Sequence, residues 1–156
     1  MNAAYNKESK VLNEAVFISE AKKIMPESDV MPQLKKTKMR LALSHKDYPS
    51  YQKLAAEYYG DGSAERYTSA ELNSAAWNFF EKISDKKALM NAVKWAEQSV
   101  KKSESYANTD TLANLYLKVG DKKNAKLWAE KSIQLAKKEG QDYADTQKVL
   151  DAANKK

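Results

Sequence analysis

A nine-residue segment near the C-terminus recurs with five identities. Ala92-Val93-Lys94-Trp95-Ala96-Glu97-Gln98-Ser99-Val100 returns as Ala125-Lys126-Leu127-Trp128-Ala129-Glu130-Lys131-Ser132-Ile133, 33 residues later, with Ala, Trp, Ala, Glu and Ser unchanged. The same triplet, Asp85-Lys86-Lys87 or Asp121-Lys122-Lys123, precedes each copy and reads as a loop. Upstream of each triplet, residues 72–83 and 109–119 show the apolar period of a helix. The unit is therefore helix, turn, helix. A helix pair of this kind cannot bury its apolar face alone, so neighbouring pairs must stack.

The small residues explain how the helices approach. Ala92, Ala96 and Ser99, like Ala125, Ala129 and Ser132, fall at i, i+4 and i+7 and make one narrow stripe. Ala76 and Ala113 face them from the preceding helices, which brings the helix axes near the lower end of the usual 8–10 Å. Phe79, Tyr116, Trp95, Trp128, Val100 and Ile133 then fill the space between successive pairs. The recurrence of Trp at one register favours packing for Trp95 and Trp128. Ala76 to Ala92 spans 16 residues against 12 from Ala113 to Ala125, so a longer turn is expected around residues 83–87.

Composition agrees with an all-α chain. With 4 Gly and 3 Pro in 156 residues, there are too few turn formers for a sandwich or barrel. The absence of Cys excludes disulfides and thiol chemistry, and a single His leaves little scope for an imidazole network or a His-rich metal site. There is no glycine-rich nucleotide loop, zinc-protease motif or nucleophile elbow. His45, beside Ser44 at a turn, reads as a surface histidine, and Asp61 between two glycines reads as a helix-ending turn. A non-enzymatic chain with no cofactor and no metal is the expectation.

A net charge of +6 invites a nucleic-acid reading, but only Arg40 and Arg66 of the 27 basic residues are arginines. The lysines come in scattered doublets, the last of them Lys155-Lys156, which suits a solvated surface better than a phosphate track. No stretch reads as a signal peptide or a membrane span. The expected compartment is cytoplasmic as written, or periplasmic if the chain is a piece of an exported protein.

Further upstream, Asp47-Tyr48-Pro49 opens a helix over 50–59 that carries Tyr51, Ala55 and Tyr58 and ends at Gly60-Asp61-Gly62. Its partner is expected over 33–44. Residues 9–25 read as an N-terminal helix stopped by Pro26, with Ser28-Asp29 capping the next. Its apolar face is Val11, Leu12, Ala15, Val16, Ile18 and Ile24, which either packs on the first pair or docks elsewhere. Residues 141–153 read as a closing helix, with Tyr143, Val149, Leu150 and Ala153 inward. One helical domain results: an N-terminal helix in 1–28, a degenerate repeat at 30–60, repeats at 68–103 and 107–138, and a cap at 141–153.

The unit over 108–135 resembles the tetratricopeptide repeat family. Leu112-Ala113, Tyr116, Gly120-Asp121, Ala125 and Ser132-Ile133 stand at that family's characteristic places. The preceding unit matches at Ala76, Phe79, Ala92 and Ser99. The resemblance implies a right-handed α-α superhelix of about three helix pairs plus terminal capping helices. It also implies a concave groove, lined by the first helix of each pair, that holds a peptide or partner helix. Aligned to the family, the groove presents Lys36 and Arg40, then Asn73, Trp77 and Phe80, then Asp110, Asn114 and Leu117. Asparagine amides suit a peptide backbone and the aromatic rings suit an apolar anchor. Burial of Trp77 and Phe80 against the N-terminal helices is the alternative. The family's clamp for C-terminal carboxylates is not reproduced, because Arg40, Ser74, Ala107 and Thr111 occupy its positions.

Residues 72–150 are similar to the helical repeat region that follows thioredoxin-like domains in some exported bacterial proteins. The phrases Leu72-Asn73-Ser74-Ala75-Ala76-Trp77, the run over 107–116 and Ala136-Lys137-Lys138-Glu139-Gly140 carry this likeness. Without Cys-x-x-Cys no redox activity transfers, and a companion thioredoxin-like domain becomes one possible partner. Three roles follow: peptide capture, docking or self-association through the N-terminal helix, and, least favoured, nonspecific nucleic-acid binding.

Overall fold

A computed structural model of the chain describes residues 4–6, 11–63 and 65–155. Among them are eight helices and one two-stranded ribbon. The chain divides into two compact units, Met1–Tyr58 and Tyr59–Lys156.

The first unit opens with strands β1 (Tyr5–Asn6) and β2 (Val11–Leu12), antiparallel with Tyr5 opposite Leu12. Helix α1 covers Glu14–Ala21, not the expected 9–25. Val11 and Leu12 are held in the ribbon, and Asn13 starts the helix by accepting from Val16 N at 3.1 Å. Ser9 and Lys10, where the helix was expected to begin, lie outside the described residues. Helix α2 covers Glu27–Ser44, with Pro26 at its N-cap, so Ser28 and Asp29 lie in the first turn and do not cap it. The expected start near residue 33 is also late. Pro32 lies in the second turn and removes only one ladder bond there.

The apolar face of α1 differs from the expected one as well. Phe17 and Ala21 pack on Val30 and Leu34 of α2, with Leu12, Val16, Ile18 and Met25 around them. Val11 and Ile24 are exposed, as is Ala15. Helix α3 (Tyr48–Tyr59) follows a short turn in which Lys46 takes a left-handed conformation, and an ion pair of 3.2 Å joins Lys35 of α2 to Glu57 of α3.

The second unit holds α4 (Ser69–Lys82), α5 (Lys86–Lys102), α6 (Tyr106–Val119), α7 (Lys122–Glu139) and α8 (Ala144–Asn154). Each start is capped where the sequence supplies a short polar side chain. Thr68 with Glu71, and Ser105 with Asn108, form reciprocal boxes. In the twice-used triplet, Asp85 and Asp121 accept from Ala88 N and Asn124 N, so the aspartate is the N-cap and the lysines are the first helical residues. The four extra residues in the earlier copy are therefore mostly helix. Helix α5 begins six residues before Ala92, whereas α7 begins three before Ala125. Only one extra residue lengthens the turn itself.

Helix α4 packs on α5, α5 on α6, α6 on α7 and α7 on α8, while α4 touches α6 and α6 touches α8. Thus α4, α6 and α8 lie side by side in one layer. Ala76, Ala92, Ala96, Ala113, Ala125, Ala129, Ser99 and Ser132 are all fully buried, as close approach requires. Both serines act alike. Ser99 Oγ donates to the carbonyl of Ser69 at 2.8 Å, and Ser132 Oγ to that of Tyr106 at 3.2 Å, in each case the first residue of the paired helix. Trp95 is buried among Phe79 and Tyr59, with ring centroids 4.8 and 5.3 Å away, and donates from Nε1 to Gly60 O at 2.9 Å. Ring pairs of this kind contribute about 0.5–1.5 kcal/mol beyond their buried area. Trp128 is only half-buried, beside the Ala113, Ala129 and Val149 cluster.

Candidate partner-binding groove

The layer of α4, α6 and α8 carries an open groove of about 460 Å³. It is lined by Trp77 of α4, by Tyr106, Asp110, Asn114 and Leu117 of α6, and by Asp145, Lys148 and Val149 of α8. Helical spacing brings the α6 set together: 106, 110, 114 and 117 fall at i, i+4, i+8 and i+11, one face of the helix. On α8, Lys148 and Val149 follow Asp145 by one turn and share its face.

Of the eight residues expected to line a groove, Trp77, Asp110, Asn114 and Leu117 meet here. Trp77 keeps 36% of its surface exposed, and its ring centroid lies 4.9 Å from that of Phe80. Phe80 is half-buried beside the groove lining, with the Lys118 ammonium 5.2 Å from its ring centroid. Lys118 Nζ also donates to the Phe80 carbonyl, and burial holds its pKa below the usual lysine range. Asn73 does not line the groove. Its Oδ1 is buried with no hydrogen-bond partner among the described residues, so it cannot receive a peptide N–H. Asn114 donates from Nδ2 to the Asp110 carbonyl of its own helix at 2.9 Å and leaves its Oδ1 for other donors. Lys36 and Arg40 belong to α2, in the first unit.

Four lining residues escaped sequence reasoning: Tyr106, Asp145, Lys148 and Val149. Tyr106 was within reach, one turn before Asp110 on the same face. The sequence places the α8 residues in a closing helix with Val149 inward. In the structure Val149 is buried at the groove floor, while Asp145 and Lys148 form its rim.

Electrostatically the groove has one unusual member. Thr146 Oγ1 donates to Asp110 Oδ1 at 2.6 Å, and Thr146 in turn lies 3.2 Å from Tyr106 OH. Burial pushes the Asp110 carboxyl above the usual aspartate range. The nearby Asp145 charge adds to that shift, and the Thr146 and Asn114 hydrogen bonds oppose it. Asp145 shifts the other way, because it accepts from Lys148 Nζ at 2.7 Å and pairs with its charge. That pair is exposed on both sides, so it contributes little to stability.

Among the described residues there is no group of three or more His, Cys, Asp or Glu placed to hold a metal ion, and no helix is long and apolar enough to cross a membrane. The arrangement offers aromatic and aliphatic walls with a few polar groups at the rim. The chain matches no known family, no curated protein and no solved structure.

Proposed function

We propose that residues 59–156 form a tetratricopeptide-like right-handed superhelical array, and that its α4–α6–α8 face captures an extended peptide or a partner helix without catalysing a reaction. The 33-residue recurrence, the buried alanine and serine stripes and the side-by-side α4, α6 and α8 support the array. The observation that carries the binding role is Trp77. A large aromatic ring stays partly exposed at the mouth of a groove whose floor is apolar and whose rim is polar. Rings placed like this supply much of the energy at protein interfaces.

Selection of a displayed random-peptide library on the full chain tests this. Replacing Trp77 by Ala is expected to weaken the selected peptides about tenfold or more. The melting temperature should fall by no more than about 3 °C. A large loss of stability instead assigns Trp77 to the core, and unchanged affinity places binding elsewhere.

Docking of the first unit onto a companion domain, such as a thioredoxin-like one, or onto a second copy is the second reading. Val11, Ile24 and Met31 are the observation in its favour, each more than half exposed. Sedimentation of the full chain with and without Ile24→Lys and Met31→Lys checks the self-association form, which an unchanged monomer dismisses.

A further inference from the structure

The groove differs in charge from the rest of the molecule. The chain as a whole carries +6, yet the acidic and basic side chains that line the groove are two carboxyl groups, Asp110 and Asp145, and one amine, Lys148. Lys148 answers Asp145 directly at 2.7 Å. The Asp110 carboxylate accepts from a neutral donor, the Thr146 hydroxyl, and no cation pairs with it among the described residues. A carboxylate partly withdrawn from water and without a counter-charge is expensive to keep ionised. Here it sits in a groove with two aromatic rings, Trp77 and Tyr106, and two aliphatic side chains, Leu117 and Val149.

We infer that this groove takes a basic side chain of the partner peptide, its aliphatic stem along Leu117 and Val149 and its cationic head between the Asp110 carboxylate and the aromatic wall. This deepens the peptide-capture reading and rests on it. Charge complementarity selects the occupant. A long apolar stem ending in a cation matches an apolar floor ending in a carboxylate, and an aromatic face attracts the same cation. Arginine fits better than lysine, because its planar guanidinium both stacks on a ring and pairs with a carboxylate through two N–H groups. A neutral or acidic side chain leaves the half-buried Asp110 without a counter-charge. An acidic one also meets Asp110 and Asp145 with like charge.

The test uses the full chain and synthetic peptides taken from the displayed-library selection. Each basic residue in a selected peptide is replaced in turn by citrulline, which keeps arginine's shape and removes its charge. One such replacement is expected to weaken binding about tenfold, and Asp110→Asn to weaken the unmodified peptide by about the same factor. Because the two changes delete one interaction, the citrulline peptide should bind wild type and Asp110→Asn almost equally. Lys148→Ala frees Asp145 and should tighten the basic peptide about two- to threefold. The citrulline arm requires no change to the protein, so it stands even where a variant folds poorly.

Peptides that need Trp77 but carry no basic residue, or whose affinity ignores both citrulline and Asp110→Asn, overturn the basic-side-chain assignment and leave peptide capture standing. A selection that yields no peptide sensitive to Trp77→Ala overturns both.

Discussion

Thr146 Oγ1 lies 2.6 Å from Asp110 Oδ1, and this bond ties the last helix to the wall of the groove. Thr146 is fully buried, so its hydroxyl has no water to fall back on. The Tyr106 hydroxyl, 3.2 Å from the same oxygen, shares the arrangement. Thr146→Val keeps the shape and removes the donor. We expect a loss of about 1–2 kcal/mol in unfolding free energy, read by urea titration, since a partly buried carboxylate loses a partner. The same change should push the Asp110 carboxyl further up, measurable by carbon-detected titration of its side chain.

Asp110 should invert the usual acid response of a carboxylate. Its folded pKa lies above the ordinary aspartate value, chiefly through burial. Between those two values the folded state binds more protons than the unfolded chain, so stability falls as pH rises through that window. Asp110→Asn removes the charge and retains an oxygen for Thr146 to donate to. The variant is expected to melt higher than wild type near neutral pH, with the gain shrinking as pH falls through that window and gone below the ordinary aspartate value. A gain that grows toward acid contradicts this.

The repeated serines differ in their hydrogen-bond partners. Ser132 Oγ makes one hydrogen bond, to the Tyr106 carbonyl. Ser99 Oγ donates to the Ser69 carbonyl, contacts Ser69 Oγ at 3.0 Å and accepts from Asn108 Nδ2 at 3.1 Å. Asn108 is itself buried and also donates to the Ser103 carbonyl. Ser99→Ala should therefore cost about 2 kcal/mol and Ser132→Ala about 1 kcal/mol in thermal or urea unfolding.

Two neighbouring glycines should respond differently to alanine. Both have positive φ, +56° at Gly60 and +78° at Gly62. A Cβ at Gly60 meets open space, so only backbone strain of about 1 kcal/mol is expected. At Gly62 the added carbon would lie 3.0 Å from Trp95 Cδ1 and 3.3 Å from Leu72 Cδ2, both in the core. Gly62→Ala should cost at least about 2 kcal/mol, read as a larger drop in melting temperature.

The helix pairs of the second unit were legible because small residues at i, i+4 and i+7 leave few alternatives once Trp-Ala-Glu recurs at a fixed offset. The position of the extra four residues was not. A helical turn inserted after Asp85-Lys86-Lys87 looks like a longer loop when judged by spacing alone, since Ala88, Leu89 and Met90 suit either. The N-terminal ribbon was hidden for a similar reason. Val11 and Leu12 fit an apolar helical face as well as a strand, and only the pairing with Tyr5 and Asn6, together with the Asn13 cap, decides between them. Four of the eight aligned groove residues line the groove: Asp110, Asn114 and Leu117, which share one face of α6, and Trp77 of α4. The burial of the Asn73 amide oxygen is not legible from a register, because it depends on the neighbours of that side chain in space.

The chain has three tryptophans, and their indole N–H signals are separate reporters of the groove and the core. Titration of a selected peptide into the full chain, followed by proton–nitrogen correlation spectra, is the most direct test of whether the α4–α6–α8 face is the recognition surface. The account predicts that the Trp77 indole signal moves and saturates with the binding curve. The Trp95 signal, whose N–H is held by Gly60 O at 2.9 Å in the core, should stay in place. A peptide that saturates the chain while the Trp77 signal remains fixed contradicts the account.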